Sequence, residues 1–155
     1  GPAAMVLGGW NVNGIFSAYT GTPFTVTAPG SSLNAPDNTQ TPDQINLSVA
    51  QPGLIGPGQH FYDPTAFAAV SGVRFGTAGR NDLRYPGILN TDLSLSRTFV
   101  IKERVKASFR AEAFNFANTS HFSSFSSLSV TSPSFLQVTS SSGERQVRFG
   151  LRVQF

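Results

Sequence analysis

A strict alternation of apolar and other side chains near the C-terminus constrains the fold more than any other feature of this sequence. Period two is the side-chain repeat of a β-strand, because successive residues point to opposite faces. The alternation predicts a two-faced strand over residues 145–155. Its apolar face carries Val147, Phe149, Leu151, Val153 and Phe155. Its opposite face carries Gln146, Arg148, Gly150, Arg152 and Gln154.

Three further segments show the same repeat and predict strands over residues 8–20, 90–101 and 104–117. In the strand at 104–117, the apolar face consists of Val105, Ala107, Phe109, Ala111 and Ala113. Its polar face consists of Lys106, Ser108, Arg110 and Glu112. In the strand at 8–20, one face carries Trp10, Val12, Gly14, Phe16 and Ala18. The strand at 90–101 is less regular, because Arg97 interrupts its apolar face.

The strand lengths and the connections between them favour a membrane barrel over a soluble domain. A tilted membrane strand needs about 9 to 11 residues, whereas strands of soluble proteins have about 5 to 6. Only a tight turn fits between the second and third strands, whereas long loops are predicted at 21–89 and 118–143. Short turns at one end and long loops at the other are typical of outer-membrane barrels. The predicted fold class is therefore all-β, with four long antiparallel strands and two long loops; a soluble β-sandwich is the alternative.

Composition excludes several other classes of protein. Charged residues make up 12% of the chain, about half the usual share in soluble domains. The absence of cysteine excludes disulfides and thiolate metal sites. The net charge is only +3, and the Lys and Arg residues are scattered where a nucleic-acid surface would cluster them. No apolar run is long enough for a membrane helix, and no signal peptide is recognisable.

Residues capable of catalysis or metal binding do not form a recognisable pattern. His60 and His121 are far apart and lack further ligands at metal-site spacing. Three aspartates beside turn-forming residues favour turns over a calcium site: Asp37, Asp43 and Asp63. Many serines occur without a histidine and acid arrangement, and the glycine-containing segment at 76–80 is too short for a phosphate loop. The sequence therefore predicts no enzyme, no cofactor and no metal site.

The two faces of the last two strands predict different surroundings. The polar face carries five charged residues, Lys106, Arg110, Glu112, Arg148 and Arg152. Opposite charges across a strand pair stabilise it by about 0.2 to 1 kcal/mol each, so these residues are expected to form an ion-pair network facing the lumen. A role in contacting a transported solute is possible for them, since charges in the lumen tune selectivity. The apolar residues Val147, Phe149, Leu151, Val153 and Phe155 are expected to face lipid or a partner chain.

Several motifs, in order along the chain, resemble TonB-dependent receptors. They are GGWNVNGIF at 8–16, TGTPFT at 20–25, FYDPTAF at 61–67, FGTAGRNDLRYPG at 75–87, NTDLSL at 90–95 and RAEAFNFAN at 110–118. The chain also ends on an aromatic residue, as outer-membrane barrels usually do. The variety that it most resembles has a carboxypeptidase-regulatory-like plug extension and is frequent in acidobacteria.

The resemblance implies a barrel of about 22 strands with an N-terminal plug, of which these are the last four strands. It implies the uptake of a large, scarce nutrient across the outer membrane of a Gram-negative bacterium, powered by TonB. The plug and the TonB box lie outside these residues, so contact with TonB is expected only through those N-terminal parts. The opening Gly1 and Pro2 are compatible with a protease scar or with a native fragment end.

Four strands alone leave two unpaired sheet edges and an uncovered apolar face. Barrel diameter depends on strand number, so four long strands do not close a wide barrel. Exposed edges recruit further strands. The expected partners are the rest of the barrel, or other copies of this chain, together with outer-membrane lipid. The alternative function is that of an excised or secreted fragment that self-assembles through its strand edges into an extracellular filament.

Overall fold

The computed structural model describes residues 7–30, 33, 39–51 and 53–155. The chain is all-β with long antiparallel strands, which confirms the predicted fold class. The described residues form these strands: β1 Asn11–Tyr19, β2 Pro23–Phe24, β3 Ala28–Pro29, β4 Thr39–Gln40, β5 Asp43–Gln44, β6 Phe67–Ala68, β7 Leu83–Arg84, β8 Ile88–Lys102, β9 Val105–Phe114, β10 His121–Phe122, β11 Ser141–Ser142 and β12 Gln146–Gln154. A 3-10 helix spans Pro64–Ala66. No helix in the described part of the chain is long and apolar enough to cross a membrane.

The described residues divide into two compact units. The first unit consists of residues up to 18, 89–120 and 143–155, and it holds the long strands. The second unit consists of residues 19–88 and 121–142, and it holds the short ones. Each unit therefore combines segments that are distant in sequence.

The first unit is built on a four-stranded sheet with the strand order β1-β8-β9-β12. The pairs β8–β9 and β9–β12 are antiparallel. The turn between β8 and β9 contains only Glu103 and Arg104, because Lys102 already pairs with Val105. The register pairs Leu93 with Ala113 and Gln146 with Phe114. The start of β8, the end of β9 and the start of β12 therefore lie at the end of the sheet opposite this turn.

The second unit contains four sheets of two strands each: β2–β7, β3–β4, β5–β6 and β10–β11. Together they surround a hydrophobic core to which both of its chain segments contribute: Phe24, Val26, Ala66, Phe67, Ala78, Leu83, Phe125, Phe135, Leu136 and Val138. Backbone hydrogen bonds join the two segments directly, from the Thr27 amide to the Leu128 carbonyl oxygen (2.9 Å) and from the Phe61 amide to the Leu136 carbonyl oxygen (3.0 Å). This unit is held together by apolar burial and by hydrogen bonds between segments.

The prediction of two long loops at 21–89 and 118–143 is therefore corrected in one respect. Both segments are packed against each other, with short strands and a shared core, where the sequence suggested no structure. Strands of two residues are too short to show a period-two pattern, which needs several residues to be recognised. The buried side chains also come from both segments, so neither shows a continuous apolar run. For these two reasons the sequence pattern did not reveal the core of the second unit.

Candidate functional site

The pairing register gathers the charged residues of β9 and β12 on one face of the sheet, the polar face. Directly opposed residues point to the same side, and the register gives the pairs Arg148–Glu112, Gly150–Arg110, Arg152–Ser108 and Gln154–Lys106. Three of the facing residues of β8 carry small hydroxyl side chains: Ser94 opposite Glu112, Ser96 opposite Arg110 and Thr98 opposite Ser108. Val100 faces Lys106. The polar face thus combines cations with hydroxyl groups and a single carboxylate on β9 and β12.

The charges of the polar face are only weakly paired. Within the described residues the one ion pair on this face joins Arg110 Nη1 to Glu112 Oε1 at 3.5 Å. Arg148 faces Glu112 in the register, but its guanidinium lies over the Phe114 ring at 5.1 Å from the centroid. Arg148 also donates to the side-chain oxygen of Gln146 at 3.4 Å. The expected ion-pair network is therefore reduced to one pair, and the face keeps a positive excess.

The opposite face of the sheet is apolar and open. The residues of β12 on this face pair with apolar residues of β9: Val147 with Ala113, Phe149 with Ala111, Leu151 with Phe109 and Val153 with Ala107. Phe149 is 73% exposed and Leu151 is 72% exposed. Phe155, directly after β12, is fully exposed. An apolar surface of this kind requires a cover of lipid or protein.

Arg97 is a charged side chain on the apolar face, near the middle of the β8–β9 ladder. It pairs with Phe109 in the register, yet it is only 8% exposed. Its guanidinium carbon lies 4.4 Å from the Phe99 ring centroid and 5.5 Å from that of Trp10. Trp10 in turn packs edge-on against Phe99 and Phe109. The rings attract the cation and shield it, so the interruption seen in the sequence is accommodated by cation–π contacts. The sequence shows Arg97 but not the rings that cover it.

A comparison of the sequence with protein families identifies the class of protein to which the chain belongs. A family model described as "Outer membrane beta barrel domain" matches residues 1–148. The chain belongs to this family. Comparisons with curated proteins and with solved structures gave no significant match. Membership of the outer membrane beta barrel domain family places the chain in the outer membrane as part of a barrel wall.

The other candidate residues that the structure describes lie in the second unit of this outer membrane beta barrel domain, where they have structural partners. Asp63 caps the 3-10 helix, and its carboxylate accepts from the Thr65 amide at 2.9 Å. The ring Nδ1 of His60 lies 2.7 Å from the Phe135 carbonyl oxygen. His121 is in β10, paired with Ser142. Asp37 lies outside the described residues. No group of three metal-ligating side chains occurs in the described ranges.

Asp43 forms a bidentate ion pair rather than a turn contact. Arg74 Nη2 lies 2.5 Å from Asp43 Oδ2, and Arg74 Nη1 lies 2.7 Å from Oδ1. The hydrogen bonds from Arg74 hold the pKa of the Asp43 carboxyl below its usual value. The same contact raises the pKa of Arg74. The pair connects β5 to the segment that follows β6.

The Asp43–Arg74 ion pair is expected to stabilise the second unit at neutral pH, and this stabilisation should be lost in acid. Because folding lowers the pKa of Asp43, the stabilisation is complete above the unfolded pKa of about 3.9 and is lost as the pH falls through the folded pKa. The check is urea unfolding between pH 2 and pH 7 for the wild type, Asp43→Asn, Arg74→Gln and the double variant. Coupling between the two substitutions should be measurable at pH 6 and smaller at pH 2. Coupling of equal size at both pH values would contradict this assignment.

Proposed function

We propose that this chain is the C-terminal part of a TonB-dependent receptor barrel in a Gram-negative bacterium. There it forms part of the wall of a nutrient-uptake transporter. The supporting observation is that three of the motifs that resemble those receptors, at 20–25, 61–67 and 75–87, form much of the structural framework of the second unit. They contribute its 3-10 helix, several of its core residues and its closest backbone contacts. An ordered set of motifs with such roles is better explained by common ancestry than by chance.

The motif at 61–67 forms the capped helix and part of the core. Asp63 is the N-cap, the helix follows at Pro64–Ala66, and both Ala66 and Phe67 are buried. Two of its aromatic residues join a ring cluster centred on Phe125, with Phe61 at 5.8 Å and Tyr62 at 6.3 Å between centroids. The motif therefore specifies a turn and its packing at once.

The motif at 75–87 supplies close backbone approaches. A Cβ at Gly76 would collide with the backbone of Thr41 and Pro42, and one at Gly87 would lie 2.6 Å from the Tyr19 carbonyl oxygen. From the same motif, Tyr85 packs on Phe24 at 4.6 Å and on Phe125 at 5.1 Å between ring centroids. The glycines of this motif are thus required by contacts that no side chain would permit.

The faces of the sheet acquire roles in this proposal. The apolar face, with Val147, Phe149, Leu151 and Val153, contacts lipid, and Phe155 lies at the membrane boundary. The polar face, with Lys106, Arg110, Glu112, Arg148 and Arg152, faces the lumen. The two-residue turn after β8 is periplasmic, and the long connections, which leave from the opposite end of the sheet, are extracellular. The role is that of a wall, without catalysis.

The partners follow from the edges of the sheet. Among the described residues β12 pairs only with β9, and β1 only with β8. The remaining strands of the barrel complete both edges, since closure removes edges. Contact with TonB takes place through the plug and TonB box of the whole receptor, and nucleic acid is not a partner. The same free edges favour the second candidate function, a secreted or excised fragment whose copies pair edge to edge in an extracellular filament.

The mass of the native polypeptide separates the two candidates. An antibody raised against residues 61–87 should detect a protein several times heavier than the 16.5 kDa of this chain, in the outer-membrane fraction. Detection near 16.5 kDa in material sheared from cells would instead favour the filament. For the transport role, deletion of the gene and deletion of tonB should abolish uptake of the same compounds in a nutrient panel. A gene deletion that leaves every uptake rate unchanged would contradict it.

A further inference from the structure

The polar face of the first unit contains a cavity that the family match does not explain. Its volume is about 510 Å³. Besides Arg97, which belongs to the apolar face, its lining includes two arginines and three hydroxyl residues of the polar face: Arg110, Arg152, Ser96, Thr98 and Ser108. A volume of this size is in the range of small-molecule sites, about 300 to 1,000 Å³. The lining offers hydrogen-bond donors from both guanidinium groups and from the hydroxyls, whereas no carboxylate lines it.

The two arginines keep donors available for a ligand. The Arg152 side chain makes no hydrogen bond or ion pair with another described residue. The ion pair of Arg110 with Glu112 uses one guanidinium nitrogen at 3.5 Å, and the Arg110 side chain remains 67% exposed. Thr98 and Ser108 hydrogen-bond to each other at 3.0 Å, which fixes the hydroxyl groups opposite Arg152. Guanidinium N–H groups that are not used by a carboxylate attract oxyanions and bind them in forked geometry.

Gly150 provides the space for such a ligand. It lies directly opposite Arg110 in the register, between Arg148 and Arg152 on the same strand. A Cβ at this position would meet no atom within 4 Å, so the space above Gly150 is empty. A larger side chain at this position would fill the space between the arginines. The open surface at Gly150 therefore lies beside both Arg110, across the strand pair, and Arg152, two residues along the strand.

We propose that this cavity binds the oxyanion group of a solute, a carboxylate or a phosphate, through Arg110 and Arg152. The inference deepens the proposed function and rests on it for one point, that the polar face lines the lumen; it assigns anionic nutrients as the class that the receptor takes up. The hydroxyls of Ser96, Thr98 and Ser108 complete the donor set. Lys106, opposite Gln154 on the same face, adds to the positive potential that draws the anion in.

Equilibrium binding to the purified whole receptor tests this site without any dependence on TonB. Citrate and inorganic phosphate are the probes, glucose is the uncharged control, and calorimetry in a nonionic detergent at low salt is the measurement. We expect saturable binding of at least one anion, at least a tenfold loss of affinity in both Arg110→Gln and Arg152→Gln, and no binding of glucose. Sodium chloride should weaken the binding, since the interaction is electrostatic.

Arg104→Gln is the matched control, because it removes the same charge from the exposed turn outside the cavity. Its affinity should equal that of the wild type. Binding of citrate alone would identify a carboxylated solute, and binding of phosphate alone a phosphorylated one. Absence of saturable anion binding to the wild type, or equal losses in Arg104→Gln and Arg152→Gln, would overturn the proposal. Neither result would alter the mass and tonB tests of the receptor itself, so the two proposals fail separately.

Discussion

Replacing Leu151 with arginine is expected to block assembly of the barrel, whereas replacing the neighbouring Arg152 with glutamine is not. Leu151 lies near the middle of β12 on the apolar face, paired with Phe109, and is 72% exposed within the chain. An arginine facing lipid at mid-membrane destabilises a barrel by about 2 to 4 kcal/mol. Arg152 points to the polar face, where glutamine is also a polar side chain, so the substitution puts no charge into lipid.

The measurement is the fraction of barrel that resists unfolding in detergent, read from heat-modifiable mobility on gels after refolding into lipid vesicles. Leu151→Arg should give little folded barrel, and Arg152→Gln should give as much as the wild type. A slip of the register by one residue would exchange the two faces and reverse this result. Equal folding of the two variants would contradict the assignment of the faces.

Replacing Phe125 with alanine is expected to unfold the second unit while the four-stranded sheet persists. Phe125 is 8% exposed, and its ring lies within 5.2 Å of Phe24 and 5.1 Å of Tyr85 between centroids. Truncation of a buried phenylalanine to alanine costs about 3 to 5 kcal/mol, which includes the cavity left behind. This is a large share of the stability of a small unit that lacks long strands.

Hydrogen exchange reports on each unit separately. The amides of Thr27, Phe61 and Val138 bond between the two segments of the second unit, so their protection should fall by about a hundredfold or more, the factor that corresponds to 3 kcal/mol. Amides of β9 should be unchanged. Phe75→Ala is the control, because Phe75 is 72% exposed in the same unit. Protection that is lost to the same extent in both variants would exclude a special role for the ring cluster.

The long strands were predictable because each has two different faces over nine or more residues. The sequence predicted strands at 8–20, 90–101, 104–117 and 145–155, and the structure has them at 11–19, 88–102, 105–114 and 146–154. The alternation also indicated which side chains share a face, since that follows from the pleat alone. The register between strands did not follow from the pattern. It decides that Arg110 faces Gly150, and therefore where the cavity forms.

The second unit was not predictable, because its contacts join residues that are distant in sequence. Val26 and Val138 share a core although more than a hundred residues separate them. Leu136, which is fully buried, has a backbone φ of 55°, a conformation rare for leucine. Single-residue conformations of this kind depend on the surrounding packing rather than on local propensity. The burial of Arg97 likewise depends on the position of Trp10, whose ring covers its guanidinium group.

The close contacts at the base of the first long connection bear on the order in which the strands pair. Thr22 accepts a hydrogen bond from the Tyr85 amide at 2.9 Å, and Gly87 lies against the backbone of Tyr19 and Thr20. The hairpin β8–β9 closes over two residues and is therefore the fastest pair to form. For the pairing of β1 with β8, the entropic free-energy cost of closing the connecting loop rises by about 0.6 kcal/mol with each doubling of the loop length. Once the second unit has folded, that entropy has already been lost, and the two strands meet as though a short turn joined them.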